Sequence, residues 1–273
     1  MNVDYRPIGL LKSMKVTVFA CSLTTLPVLA QAADLATMTG HELGVTVSGY
    51  KYTEPGNMSI KATKIGLDYS GTYTIGSEWP NRNQGWFVRG DLRFATGKGD
   101  YSGLSGTMNN RPDWYYEIRG LIGKDFHFAD YTLSPYAGLG YRYLFNDLRG
   151  VSSTGAPGYR RESHYSTLPL GVTHKMNLAN QTQLLTTVEY SYLIRGRQDS
   201  TLSDTNPAIQ DVGNTQRSGY GLRLGTMVRY PTWSVGPFLS LWRINESDRV
   251  GAQLNLEPRN NTFEFGVKGV YHF

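Results

Sequence analysis

From residue 43 onward the chain alternates apolar and polar residues in segments separated by turn-rich stretches. Ten such segments span about 43–53, 58–75, 85–97, 113–125, 130–145, 161–176, 182–197, 217–230, 233–245 and 262–273. In the fifth, Tyr131, Leu133, Ala137, Leu139, Tyr141, Tyr143 and Phe145 share one face, and Thr132, Ser134, Gly138, Gly140 and Arg142 the other. In the seventh, Leu184, Val188, Tyr190, Tyr192 and Ile194 oppose Thr187, Glu189, Ser191 and Arg195. In the third, Trp86, Val88, Leu92 and Phe94 oppose Arg89, Asp91 and Arg93. Side chains alternate across a strand, so a period of two predicts β-structure.

The apolar faces carry Tyr, Trp or Phe near their ends and aliphatic residues or Gly between, in the manner of two aromatic girdles around a lipid-facing band. The opposite faces carry charges at mid-strand, which a sandwich core excludes and a wet barrel interior accepts. The pattern predicts an all-β, antiparallel transmembrane β-barrel of ten strands. Eight or twelve follow if a hairpin has been merged or split.

The connections show a second alternation. The odd ones, about 54–57, 98–112, 146–160, 198–216 and 246–261, are long except for the first. The even ones, about 76–84, 126–129, 177–181 and 231–232, are shorter. Long extracellular loops and short periplasmic turns are the habit of bacterial barrels, and an even strand number puts both termini in the periplasm.

Composition agrees. The chain holds 31 Gly and 19 Tyr, which suits interfacial strands and suits helices poorly. The formal charge of +5 is spread without a Lys/Arg run, so no nucleic-acid partner is expected. Residues 1–32 read as a secretory signal peptide: Arg6, Lys12 and Lys15 precede an apolar run, and Ala30-Gln31-Ala32 is a small-x-small cleavage site. Translation starting at Met1 or at Met14 is compatible with this reading. The mature domain is then 33–273. The only Cys, Cys21, lies in the removed segment, so disulfides and thiol chemistry drop out; lipidation of Cys21 is the competing reading.

At the C-terminus, Phe273, Tyr271, Gly269, Val267, Phe265 and Phe263 alternate onto one face. A last strand ending in Phe resembles the sorting signal of Gram-negative single-chain outer-membrane β-barrels, and segments such as Gly138-Leu139-Gly140-Tyr141-Arg142-Tyr143 resemble uncharacterised porin-like members. The resemblance implies location in the outer membrane and recognition of Phe265, Val267, Tyr271 and Phe273 by the barrel-assembly machinery. It assigns no activity.

With apolar faces toward lipid, the lumen receives Lys64, Asp68, Arg89, Asp91, Arg93, Glu117, Arg119, Arg142, Glu189, Arg195, Arg223, Arg229, Glu264 and Lys268, nine cations against five anions. Ten strands lie close to the size at which side chains fill a barrel. A salt-bridged plug is therefore expected, with a structural or surface-recognition role. A narrow anion-preferring channel using the surplus Arg is the alternative.

Chemistry is sparse. The spacing His164-Tyr165-Ser166 puts a base and a hydroxyl on one strand face, with Leu168, Leu170 and Val172 continuing that face. It is similar to the His-x-Ser of outer-membrane phospholipase A and lipid A deacylase, which implies lipid hydrolysis as a further alternative. The ten-stranded omptin proteases imply an Asp-His pair, and Asp199, Asp204 and Asp211 have no His nearby in the sequence. Gly97-Lys98-Gly99 falls in an expected loop and lacks phosphate-loop spacing. The five His show no metal-ligand spacing, so neither cofactor nor metal is expected, and the chain is read as no enzyme. Loop members Tyr101, Tyr159, Leu202, Ile209 and Leu254 offer a surface for an extracellular ligand. Arg149, Arg160 and Arg161 lie where lipopolysaccharide phosphates could be reached. A monomer is expected.

Overall fold

The computed structural model describes residues 35–75, 85–179, 181–250 and 255–273. The signal peptide read in 1–32, the connection 76–84 and Leu254 lie outside the described residues. Strands β1 (Gly40–Glu54), β2 (Met58–Ile75), β3 (Trp86–Gly103), β4 (Gly106–Lys124), β6 (Tyr131–Val151), β7 (Pro157–Asn177), β8 (Gln183–Thr201), β10 (Gly219–Arg229), β11 (Trp233–Ile244) and β12 (Asn260–His272) follow one another around a closed ring. Two short strands complete it. β5 (Phe126–His127) continues β4 beyond Asp125 against β6, and β9 (Val212–Gln216) sits above β10 against the end of β8. All pairings are antiparallel, and β12 pairs with β1 while β10 pairs with β8. The fold is thus a closed ten-stranded antiparallel β-barrel with the start of β1 and the end of β12 at one rim, the termini end.

Closure pairs each of the ten long strands with a neighbour on both sides along the apolar band, which is what a barrel needs in a medium without water. The outer wall is apolar and bare: Ile65 and Leu139 are each 65% exposed, with Val45, Val47, Leu67, Ile118, Val188 and Val267 around them. Trp86, Trp233, Tyr271 and Phe273 flank this band at the termini end. At the other, the loop end, Trp114 packs against Phe94, Tyr116, Tyr143 and Phe145. Small residues let the wall close. A Cβ on Gly236 would lie 1.8 Å from the Thr226 carbonyl oxygen, so only Gly fits that approach between β11 and β10.

Two expectations need correction. The long connections are mostly strand. Residues 98–112 form the ends of β3 and β4, closed by a turn at Leu104 and Ser105 with Gly106 at φ +96°. Gly97-Lys98-Gly99 therefore lies within β3. Similarly β6 and β7 run on to Val151 and from Pro157, and β8 runs on to Thr201. Above the apolar band both faces of a strand are polar, so alternation fades while the hydrogen-bond ladder continues. The second correction concerns Arg195. Thr167 pairs with Leu193 and Ser166 with Arg195, which leaves Ile194 as an extra residue in β8. Ile194 and Arg195 both face outward and are exposed, so Arg195 is not in the lumen. A bulge shifts the side-chain parity by one.

Candidate functional site: the lumen and the outer wall

The remaining residues expected in the lumen point inward, and they are stacked in layers. At the loop end, Tyr52, Ile60, Ala95, Tyr101, Met108, Leu144, Leu148, Tyr165, Leu193, Trp242 and Ile244 form an apolar core inside the barrel, each no more than 9% exposed. Tyr101, expected in a loop, is thus an interior residue. Arg161, expected at the outer rim, lies in this layer. Its guanidinium bridges Glu54 of the facing wall at 2.5 Å and Glu257 of the segment between β11 and β12. The described residues on its two sides join there: the Glu257 amide donates to Ser247 Oγ at 2.9 Å, and the Ser247 amide donates to the Glu257 carbonyl at 3.0 Å. Burial, reinforced by the charge on Glu54 and opposed by Arg161, pushes the Glu257 carboxyl up to about 7.

Beneath this core, Lys64 is fully buried and donates to both the carboxylate and the backbone carbonyl of Asp113. Its Nζ also sits 4.4 Å from the Tyr50 ring centroid. Arg142 pairs with Glu117 at 3.3 Å and lies against the Tyr115 and Trp242 rings. The next layer crosses the lumen. Arg93 of β3 reaches Glu264 of β12 at 2.9 Å and Asp68 at 3.2 Å, and Tyr115 donates to Glu264 at 2.5 Å. Arg119 of β4 reaches Glu189 of β8 at 2.7 Å and Asp91 at 2.6 Å. Arg223 of β10 pairs with Glu117 of β4, Arg89 with Asp91 at 2.6 Å, and Lys268 with Asp68 at 3.3 Å. Arg229 faces Glu42 at 3.7 Å.

Below lies a cavity of about 510 Å³, lined by Glu42, Arg89, Tyr136, Glu189, Arg229 and Lys268 among others. The N-terminal segment reaches across its mouth. Thr37 donates backbone and hydroxyl hydrogen bonds to Asp125, whose carboxylate also accepts from Ser134 at 2.5 Å and Lys175 at 3.2 Å. The sequence reading missed Glu42, Glu54, Asp113, Asp125, Arg161, Lys175 and Glu257 as interior charges. With them included and Arg195 removed, the named interior cations and anions are equal in number, so the surplus of cations disappears.

On the outer wall, His164 and Ser166 of β7 face outward as the alternation predicts. No hydrogen bond joins them among the described residues. His164 Nδ1 lies 2.7 Å from the Tyr141 hydroxyl, and Nε2 lies 3.5 Å from Asp199 Oδ2. Asp199 therefore does have a His beside it, supplied by the neighbouring strand. The other loop-end carboxylates have ordinary partners: Asp204 holds Arg160 at 2.8 Å, Asp147 holds Arg149 at 2.7 Å, and Asp211 accepts the Ser203 amide at 2.9 Å. No group of three His, Cys, Asp or Glu able to hold a metal exists among the described residues. On β12, Phe265, Val267, Tyr271 and Phe273 lie outward, and Phe273 exchanges backbone hydrogen bonds with His41.

The same architecture occurs in solved structures. The outer membrane protease OmpT from Escherichia coli matches with a TM-score of 0.58 at 10% identity, covering 86% of this chain and 97% of that one. The transport unit of the autotransporter AIDA-I from Escherichia coli matches at 0.44 and 9% identity, over 91% and 93%. A major outer membrane protein from Thermus thermophilus matches at 0.38 and 10%, over 85% and 99%. At these identities the likeness establishes the fold alone, and that fold is the one shared by outer-membrane β-barrels. No family model and no curated sequence matches.

Proposed function

We propose that the protein is an outer-membrane barrel of a Gram-negative bacterium, exported by cleavage after Ala32, with its loop end at the cell surface and its lumen closed there. Its role is structural or recognitional, without catalysis. The observation that carries this reading is the apolar core inside the loop end, sealed by the Arg161 bridge between Glu54 and Glu257. A conducting path needs open water along the whole lumen, and the alternative of an anion-preferring channel drew on a cation surplus that the paired interior does not retain. Purified barrel in planar bilayers is expected to give no discrete conductance steps. Reproducible anion-selective steps overturn the plugged reading.

One observation favours a second reading. On the outer wall beside Ser166, His164 hydrogen-bonds to the Tyr141 hydroxyl and lies 3.5 Å from the Asp199 carboxylate, and an acid-flanked His near a hydroxyl is the pairing a lipid-directed hydrolase draws on. Incubation with phospholipid and with lipid A separates the two: acyl release abolished by Ser166→Ala and by His164→Ala supports the hydrolase, and no release supports a non-catalytic role.

A further inference from the structure

We infer that Lys64 and Asp113 are the two halves of an intramolecular amide cross-link, formed between the lysine amine and the aspartate side chain once the barrel has folded. They stand in one inward-facing row. Lys64 of β2 is opposite Gly97 of β3, Gly97 is opposite Asp113 of β4, and Asp113 is opposite Asn146 of β6. Gly97 has no side chain, and the Lys64 side chain lies over it: a Cβ there would sit 3.3 Å from Lys64 Cγ. Lys64 Nζ thereby reaches the Asp113 carboxylate, and it donates to the Asp113 carbonyl at 2.9 Å. The ring centroids of Tyr50 and Tyr115 lie 4.4 and 5.5 Å from Nζ. Lys64 has no exposed surface, and Asp113, Asn146, Tyr50 and Tyr115 are each no more than 3% exposed.

This pair differs from the other ion pairs of the interior. Most of those use Arg, whose guanidinium stays protonated and offers no free amine. The other interior lysines, Lys175 and Lys268, line the cavity at the termini end. Lys64 alone among the described lysines is sealed from solvent together with its carboxylate. That carboxylate has a further donor, since Asn146 Nδ2 donates to Asp113 Oδ2 at 2.7 Å.

A charge pair held this far from water gains by becoming neutral. One ammonium proton passes to Asp113 Oδ1, which leaves an amine facing a carboxylic acid. The Nζ lone pair then attacks Cγ, and the Asn146 amide stabilises the negative charge that develops on Oδ2. A second Nζ proton passes to Oδ1, which departs as water. Oδ2 becomes the amide carbonyl, the third proton stays on Nζ, and nothing is oxidised or reduced. Fixed contact between the two groups supplies the proximity that this condensation lacks in solution. The freshly folded barrel holds the ion pair, and the amide forms from it. The bond ties β2 to β4 across β3 and joins positions 49 apart in the chain. Positions 33–273 contain no Cys, so the amide restricts the unfolded chain where no disulfide is available to do so.

The test is the intact mass of the 33–273 chain, measured in urea before folding and again after folding into detergent micelles and incubation for several days. The folded barrel is expected to lose about 18 Da, one water, while the chain left in urea keeps its mass. Lys64→Arg is expected to show no loss. Asp113→Asn is expected to lose about 17 Da, because ammonia then departs in place of water. Trypsin is expected to release residues 62–82 joined to residues 99–119 as one branched peptide. A folded barrel whose mass does not fall, or a loss that persists in Lys64→Arg, overturns the cross-link. Should Lys64→Arg fail to fold, the branched peptide from the unmodified barrel decides, and its absence is the overturning result.

Discussion

A fully buried lysine in the wall of a barrel is costly unless it is completely satisfied. Lys64 meets that demand with the Asp113 carboxylate, the Asp113 carbonyl and the faces of Tyr50 and Tyr115. Lys64→Ala leaves Asp113 buried without its cation and is expected to destabilise the barrel by about 3–5 kcal/mol, measured by urea unfolding in lipid vesicles. Lys64→Met with Asp113→Asn removes both charges and is expected to cost much less. The inward direction of Lys64 was legible from parity alone. Its partner was not, because the fourth segment was read as beginning at Asp113 and nothing in a linear pattern ties two strands separated by a third. His164 and Asp199 lie on neighbouring strands, and their meeting is set by the β7–β8 register, which alternation along one strand does not reveal.

Strand identity was legible where one face meets lipid, and it faded where both faces meet water or polar interior. For that reason the ends of β3, β4, β6, β7 and β8 read as loops. The bulge at Ile194 was invisible for another reason: one added residue changes no composition, yet it reverses Arg195. Among the elements, the segment between β11 and β12 has the clearest chemical handle. Between about 4.5 and about 7 the folded Glu257 carboxyl keeps a proton that the released one loses, so closure weakens as pH rises through that window. Amide exchange over residues 255–259, corrected for its intrinsic pH dependence, is expected to quicken from about pH 5 to about pH 8. Glu257→Gln is expected to flatten that rise; an unchanged slope argues against the latch.

At the scale of the whole molecule, the ring is closed by β12, which zips to β1 over the register from Glu42↔His272 to Thr53↔Asn261. Its outward Phe265, Val267, Tyr271 and Phe273 make the final strand apolar on the lipid side. Phe273→Ala with Tyr271→Ala is expected to lower the folded barrel in isolated outer membranes several-fold, as scored by heat-modifiable gel mobility, without shifting the melting point of the fraction that assembles. Equal amounts of folded barrel in the two strains remove the role assigned to this strand.

The charged layers that cross the lumen join walls far apart in the ring: Arg93 to Glu264, Arg119 to Glu189, Arg223 to Glu117. A hoop with spokes resists being squashed into an oval. Groups mounted on its rim keep their mutual spacing whatever the surrounding bilayer does, so a molecule grasping several staves at once meets a surface already set to its shape and loses little binding energy to rearranging it.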